Sequence, residues 1–115
     1  MSDSNSNPKF AYIRNSSGDP VITLAYAFSP SDRKAYYSIA VKNPTDRFHR
    51  ALGRHIAMGR FKKPHSVEMV FEGEYPRNFD IMVAVVNDIR KNHTTMFKGG
   101  LPTRALRACE TFLSF

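Results

Sequence analysis

The sequence predicts a small α+β domain: an antiparallel β-sheet, made of an N-terminal meander and one later strand, packed with two or three α-helices. Three observations carry this reading. Residues 21–28 (VITLAYAF) and 35–42 (AYYSIAVK) are β-branched and aromatic runs joined by a short polar turn, the pattern of antiparallel neighbours. Residues 66–72 (SVEMVFE) alternate apolar and polar, as a strand with one wet face does. Most of the remaining apolar residues recur at helical spacing.

Taken in order, residues 1–8 (MSDSNSNP) form a polar tail with nothing to bury, expected to be disordered, and residues 9–115 form one domain. Residues 9–14 (KFAYIR) read as a first short strand. Asn15 to Pro20 is a dense turn signal. In the third strand Tyr37, Ile39 and Val41 share one face and Tyr36, Ser38 and Lys42 the other. Residues 42–63 (KNPTDRFHRALGRHIAMGRFKK) read as a helix capped by Thr45, with Asp46 in its first turn and Pro64 as its stop. Phe48, Leu52 and Ile56 form its expected inward stripe, with Arg47, Arg50 and Arg54 opposite. Gly53 and Gly59 imply a close approach to the helix backbone. In the following strand Val67, Met69 and Phe71 point inward. Residues 77–92 (RNFDIMVAVVNDIRKN) are ambiguous. Length and an Asn78 cap favour a helix with Phe79, Met82, Val83, Val86 and Ile89 in a stripe, and the Val-rich centre suits a strand. Residues 93–100 read as a loop. Residues 102–113 (PTRALRACETFL) read as a last helix, with Ala105, Ala108, Cys109 and Phe112 inward.

Charge is uneven along the chain. Between Arg33 and Lys63 there are nine Lys/Arg and one acid, while the other 84 residues hold eight Lys/Arg and nine acids. The whole net charge of +7, and a pI near 9.9, therefore arise from one strand and the helix after it. Either this is a solvated helix face or it is a surface for an anionic partner. Arginine, which forks to phosphate in a way lysine cannot, dominates the helix. Cys109 is the single cysteine, which excludes an internal disulfide and suits a reducing compartment. No apolar run is long enough for a membrane span, and the N-terminus does not read as a secretory signal.

Catalytic and metal chemistry find little footing. His49 and His55 are six apart and His65 and Glu68 three apart, which makes no recognisable metal site. Cys109 reads as a buried small hydrophobe rather than a nucleophile. Neither a phosphate-loop nor a dinucleotide-binding glycine motif is present. No enzyme activity, metal or cofactor is expected. Two binding readings remain. One is nucleic acid, held by the Arg-striped helix. The other is a small anionic nucleotide, with Arg for phosphates, an aromatic for a base and Asn for polar edges. The chain offers Arg50 and Arg54 on the first helix, Phe79 and Asn87 on the second, and Arg104 and Arg107 on the third.

The motif of residues 42–60, KNPTDRF followed by GRHIAMGR after a strand, resembles the phage sponge family that counters the first type of Thoeris defence. The resemblance runs from Tyr36 to Arg60. It implies a non-enzymatic protein in the cytoplasm of an infected bacterial host. Such a protein binds glycocyclic ADP-ribose signals, and in some members cyclic trinucleotides of CBASS defence, without cleaving them. It implies a homo-oligomer, dimer or hexamer, with pockets between protomers. By order and spacing it makes Phe79, Asn87 and Arg104 the expected ligand contacts, with Arg50 or Arg54 for a trinucleotide-type site. Each has a plainer alternative: core packing for Phe79, a polar helix face for Asn87, and a solvated first-turn position for Arg104. The alternative for the whole chain is a small basic nucleic-acid-binding phage protein.

Overall fold

The structure is a computed structural model and describes residues 8–114 except 44–46 and 48. The strands are β1 (Lys9–Arg14), β2 (Pro20–Ser29), β3 (Lys34–Val41) and β4 (His65–Glu68), and the helices are α1 (Arg50–Arg60), α2 (Asn78–Met96) and α3 (Thr103–Leu113). The four strands form one antiparallel sheet in the order β1-β2-β3-β4, with α1 crossing between β3 and β4. This is the α+β architecture the strand and helix patterns predict.

Alternation divides the strands between two faces. Ile22, Leu24 and Tyr26 of β2 share a face with Ile13 of β1 and with Ala35, Tyr37 and Ile39 of β3, as the register dictates. This bulky face packs on α2 and α3 through Ile81, Val85, Val86 and Ile89 and through Ala105, Ala108 and Cys109. The other face carries small side chains, Ala25, Ala27 and Ala40, and is covered by α1 through Ala57 and by Phe61. β2 is central, and eight of its ten residues are buried.

The Thr45 cap, Asp46, Phe48 and the tail up to residue 7 lie outside the described residues. The first helix is shorter than expected and differently rotated. Lys42 is still part of the strand ladder, its N–H bonded to the Val21 carbonyl at 2.9 Å. At the other end the Phe61 N–H turns back to the Ala57 and Met58 carbonyls, and Lys63 to Arg60, before Pro64. The expected inward stripe is corrected: Leu52 is 55% exposed and Ile56 36%, while Ala57 is fully buried and Gly53 faces the sheet. The cause is steric. A face of Thr23, Ala25 and Ala40 admits a helix close by, and only Gly and Ala fit beneath it. A Cβ on Gly53 would sit 2.5 Å from the Thr23 hydroxyl, whereas Gly59 has open space around it. The close approach inferred from the glycines holds at the first and not the second. The contact is locked by the Ser38 hydroxyl donating to the Ala57 carbonyl at 2.6 Å and by Arg60 donating to the Ile39 carbonyl at 2.8 Å.

The later elements follow the pattern with smaller differences. β4 is shorter than the expected 66–72 and ends at Glu68, where its pairing with Lys34 at the start of β3 runs out, yet Val67, Met69 and Phe71 all join the core. The ambiguous stretch is a helix. It continues through Met96, into what reads as a loop, because nothing breaks it before Gly99 and Gly100, both with positive φ. Its inward stripe is Ile81, Val85, Val86 and Ile89, and Phe79 stands at its margin, 42% exposed. Asn78 is the first helical residue and does not cap, since the N-cap position is Arg77. The last helix buries Ala105, Ala108 and Cys109, as the pattern predicts.

The two helical glycines of α1 give opposite expectations under one substitution. Gly53→Ala should destabilise by about 1–3 kcal/mol, since the added methyl would meet both Oγ1 and Cβ of Thr23, a β-branched, buried side chain with few rotamers. Gly59→Ala should stabilise by about 0.5–1 kcal/mol, the propensity gain alone. Urea denaturation of the two variants measures both.

Candidate functional site

The rotation of α1 creates a cleft. Leu52 and Ile56, displaced to one flank of the helix, stand over the end of β3. They enclose a cavity of about 150 Å3 with Thr23, Ala40, Val41, Lys42, Asn43, Arg47, His49 and Gly53. Its wall is apolar on the helix side, and its rim carries an amide and the basic side chains of Lys42 and Arg47 with the imidazole of His49. Among the described residues the one ion pair is Arg77–Asp80, so neither Lys42 nor Arg47 is neutralised by a described carboxylate.

Thr23 supplies the most informative group. It is 3% exposed and lines the cleft, and its hydroxyl meets no hydrogen-bond partner among the described residues. Buried polar groups are paired in the great majority of cases, and an unpaired one calls for an explanation such as a ligand. The other small buried hydroxyls are paired: Ser38 with Ala57, and Ser29 with Ser31 and Asp32.

The side chains expected to bind ligand fall into three places. Arg50 and Arg54 lie on the flank of α1 opposite the cleft, over β1. Arg54 donates from Nε to the Tyr12 hydroxyl at 2.8 Å and lies 5.2 Å from the Phe10 ring centre, and Arg50 lies 5.2 Å from that of Tyr12. Such cation–π contacts contribute about 0.5–1 kcal/mol each and hold the charges in place. Arg104 is neither solvated nor in the cleft. It is half-buried and donates from Nη2 to the Lys42 carbonyl, so the first turn of α3 anchors the end of β3 beside the cleft. With Arg107 it also lines an open groove of about 770 Å3 that includes Asn15, Ser16 and Glu110. Asn87 lines a separate groove between α2 and α3, with Val83, Arg90, Glu110 and Ser114. Phe79 packs against Phe112, ring centres 6.0 Å apart. That is eight residues along α3 from Arg104, or about 12 Å of helix. Within one chain Phe79, Asn87 and Arg104 do not meet in one pocket.

Thr23 is the cleft residue that sequence reasoning passed over, while Lys42 and Asn43 entered it only as part of the motif and His49 only as a discounted metal ligand. The available signals were a threonine inside an otherwise apolar strand and a glycine at a helix position that had to lie close to something.

Two reactive side chains are held protonated by their surroundings. Cys109 is fully buried, and burial pushes its thiol up to about 11, with Glu110 adding to the rise. The Tyr37 hydroxyl is held by Asp88 and Met96, and burial first, then Asp88, raises its pKa well above the ordinary phenol value. Among the described residues no group of three or more His, Cys, Asp or Glu is placed to hold a metal ion. No helix among them is long and apolar enough to cross a membrane.

Arg104→Ala should lower stability by roughly 1.5–3 kcal/mol, the range for a hydrogen bond from a charged donor, whereas Arg107→Ala should stay within about 0.5 kcal/mol. Thermal unfolding of both variants measures this. Cys109 should resist thiol reagents at pH 8, where about a thousandth of it is thiolate, and react fully in urea. Compared with known proteins, the chain matches no family model, no curated protein and no solved structure.

Proposed function

We propose that this chain binds a small anionic nucleotide and holds it unchanged. Read with the motif resemblance, it is a phage-encoded sponge. It sequesters cyclic nucleotide immune signals, glycocyclic ADP-ribose and cyclic trinucleotides among them, in the cytoplasm of an infected bacterium, and so inhibits Thoeris or CBASS defence. One observation carries this reading. Lys42, Asn43 and Arg47 from the first half of the motif and Gly53 and Ile56 from the second, with His49 and Leu52 between them, line a single cleft with the buried Thr23. It offers cations and an amide for phosphate and polar edges, and an apolar wall for a flat base.

Size points to a partner protomer. Small-molecule pockets span roughly 300–1,000 Å3, and this cleft holds about 150 Å3. It takes one part of a nucleotide, and a second copy of the chain covers the rest. A homo-oligomer, dimer or hexamer, supplies that copy. It is also the one arrangement in which Phe79, Asn87 and Arg104, separated within one chain, can contribute to shared pockets.

A second reading, nucleic-acid binding, rests on Arg50 and Arg54, held by Tyr12 and Phe10 on the other flank of α1. The two readings separate in a thermal-shift screen. The screen uses cyclic ADP-ribose isomers, cyclic di- and trinucleotides and a short single-stranded oligonucleotide, followed by mass analysis of released ligand. A sponge gains about 2.7 kcal/mol at a hundredfold excess over Kd with one cyclic nucleotide, and returns it at unchanged mass. Lys42→Ala and Arg47→Ala should each weaken that binding by about tenfold or more. A shift with the oligonucleotide alone, steeply dependent on salt and reduced in Arg50→Ala and Arg54→Ala, would overturn the sponge reading in favour of nucleic acid. Ligand returned with altered mass would make the protein an enzyme.

A further inference from the structure

We propose a second ligand site on the opposite face of the sheet, built to hold a small planar aromatic acid. It lies at the N-terminal end of α2, where Tyr26, Phe28, Tyr75 and Pro76 wall a cavity of about 350 Å3 with Lys9 and Asn78 beside them. That volume falls within the range of small-molecule sites. Tyr26 and Thr23 are an odd number of residues apart on β2, so alternation puts them on different faces, and the two sites are separate.

The walls select a flat ring. Phe28 and Tyr75 stand edge to face, ring centres 6.4 Å apart at 70°, forming an aromatic corner. A third ring can stack on one of them while meeting the edge of the other. Tyr75 is 66% exposed, which is unusual for a large aromatic with an apolar neighbour and leaves the corner open to solvent.

The polar groups select an acid. Tyr26 is 5% exposed, and its hydroxyl has no hydrogen-bond partner among the described residues. Across the ladder its register partner Tyr37 is also buried, yet its hydroxyl reaches both Asp88 and Met96. The Tyr26 hydroxyl is thus a donor at the cavity without a protein acceptor among the described residues, and a ligand oxygen would satisfy it. Burial alone raises its pKa, so it stays protonated and able to donate. Positive charge stands at the same place. Lys9 donates to the Asn78 side chain at 3.1 Å, spending one of its three protons. Asn78 opens α2, whose N-terminal end carries the positive pole of the helix and receives no side-chain cap from Arg77. The nearby carboxylate of Asp80 is already paired with Arg77 at 3.0 Å. Ring, acceptor and negative charge together describe an aromatic carboxylate.

The test is an amide NMR titration of the full chain with benzoate, indole-3-acetate and the neutral indole-3-acetamide. Shifts should appear at Tyr26, Phe28, Tyr75 and Asn78, with the acetate binding more tightly than the amide. Tyr26→Phe keeps the ring and removes the hydroxyl. It should raise Tm in the free protein and weaken indole-3-acetate by about fivefold. Lys9→Gln should erase the preference for acid over amide while leaving the fold intact. The proposal is overturned if none of the three compounds shifts these amides at about 10 mM, a level that would reveal even millimolar affinity. It is overturned equally if shifts arise only around Thr23 and Arg47, or if Tyr26→Phe binds indole-3-acetate as well as the parent chain.

Discussion

Gly53 and Ala57 let α1 lie directly against a sheet face built from Thr23, Ala25 and Ala40, and the position of every other α1 side chain follows from that contact. With the small residues beneath, Leu52 and Ile56 swing to one flank and Arg50 and Arg54 to the other. One flank becomes the wall of a cleft and the other lays guanidinium groups over Tyr12 and Phe10. A wider separation, of the kind Leu or Ile beneath the helix would impose, would bury the wall and close the cleft. The Ser38 hydroxyl and the Arg60 guanidinium, each bonded to a carbonyl across the interface, hold the helix at this short distance.

The opposite face works by bulk. Tyr37, Ile39, Leu24 and Ile13 meet two helices whose inward residues include Ile89, Val85 and Ala105, all fully buried. The sheet is therefore two-sided, with large side chains across one face and, on the other, a floor of Thr23, Ala25, Ala27 and Ala40 flanked by Phe10, Tyr12 and Tyr36. This asymmetry explains why two helices cover one face and a single short helix the other. It also explains why the whole of β2 could read as apolar in sequence although its two faces do different work.

Most of the sheet was legible, β2 from its β-branched and aromatic run and β1 and the two faces of β3 from their pattern, whereas alternation through residue 72 overstated β4. The inward set of α3 was legible for the same kind of reason, Ala105, Ala108 and Cys109 lying at helical spacing. The rotation of α1 was not. Reading a helix by its bulkiest residues assumes a partner surface with room for them, and the sequence of α1 does not contain the fact that its partner is Ala- and Thr-lined. The extent of α2 was half legible, because His93 to Met96 neither favours nor breaks a helix strongly. What fixes its end is tertiary: the Leu101 N–H donates to Nδ1 of His93 at 3.0 Å, folding the glycine turn back on the helix. The candidate site was legible as chemistry and not as geometry. Arg104 could be singled out as a cation near a helix start, but its bond to the Lys42 carbonyl depends on the packing of α3 against the end of β3.

Hydroxyls distinguish the two faces further. Thr23, Tyr26, Ser29, Tyr37 and Ser38 are all buried on the two central strands. Three of them find partners within the fold. Thr23 and Tyr26 find none among the described residues, and an unpaired buried hydroxyl costs about 1–3 kcal/mol in a molecule whose total stability is on the order of 5–15 kcal/mol. Valine or phenylalanine would fill the same volumes without that penalty, so packing alone does not account for either residue. Each lines a cavity, and each cavity has a cationic side chain at its boundary, Lys42 and Arg47 in one case and Lys9 in the other. A donor without an acceptor, an apolar wall and a nearby positive charge are the three requirements of a site for an anionic, partly aromatic molecule. That they coincide twice, on opposite faces of one strand, ties both proposed ligands to the same local physics.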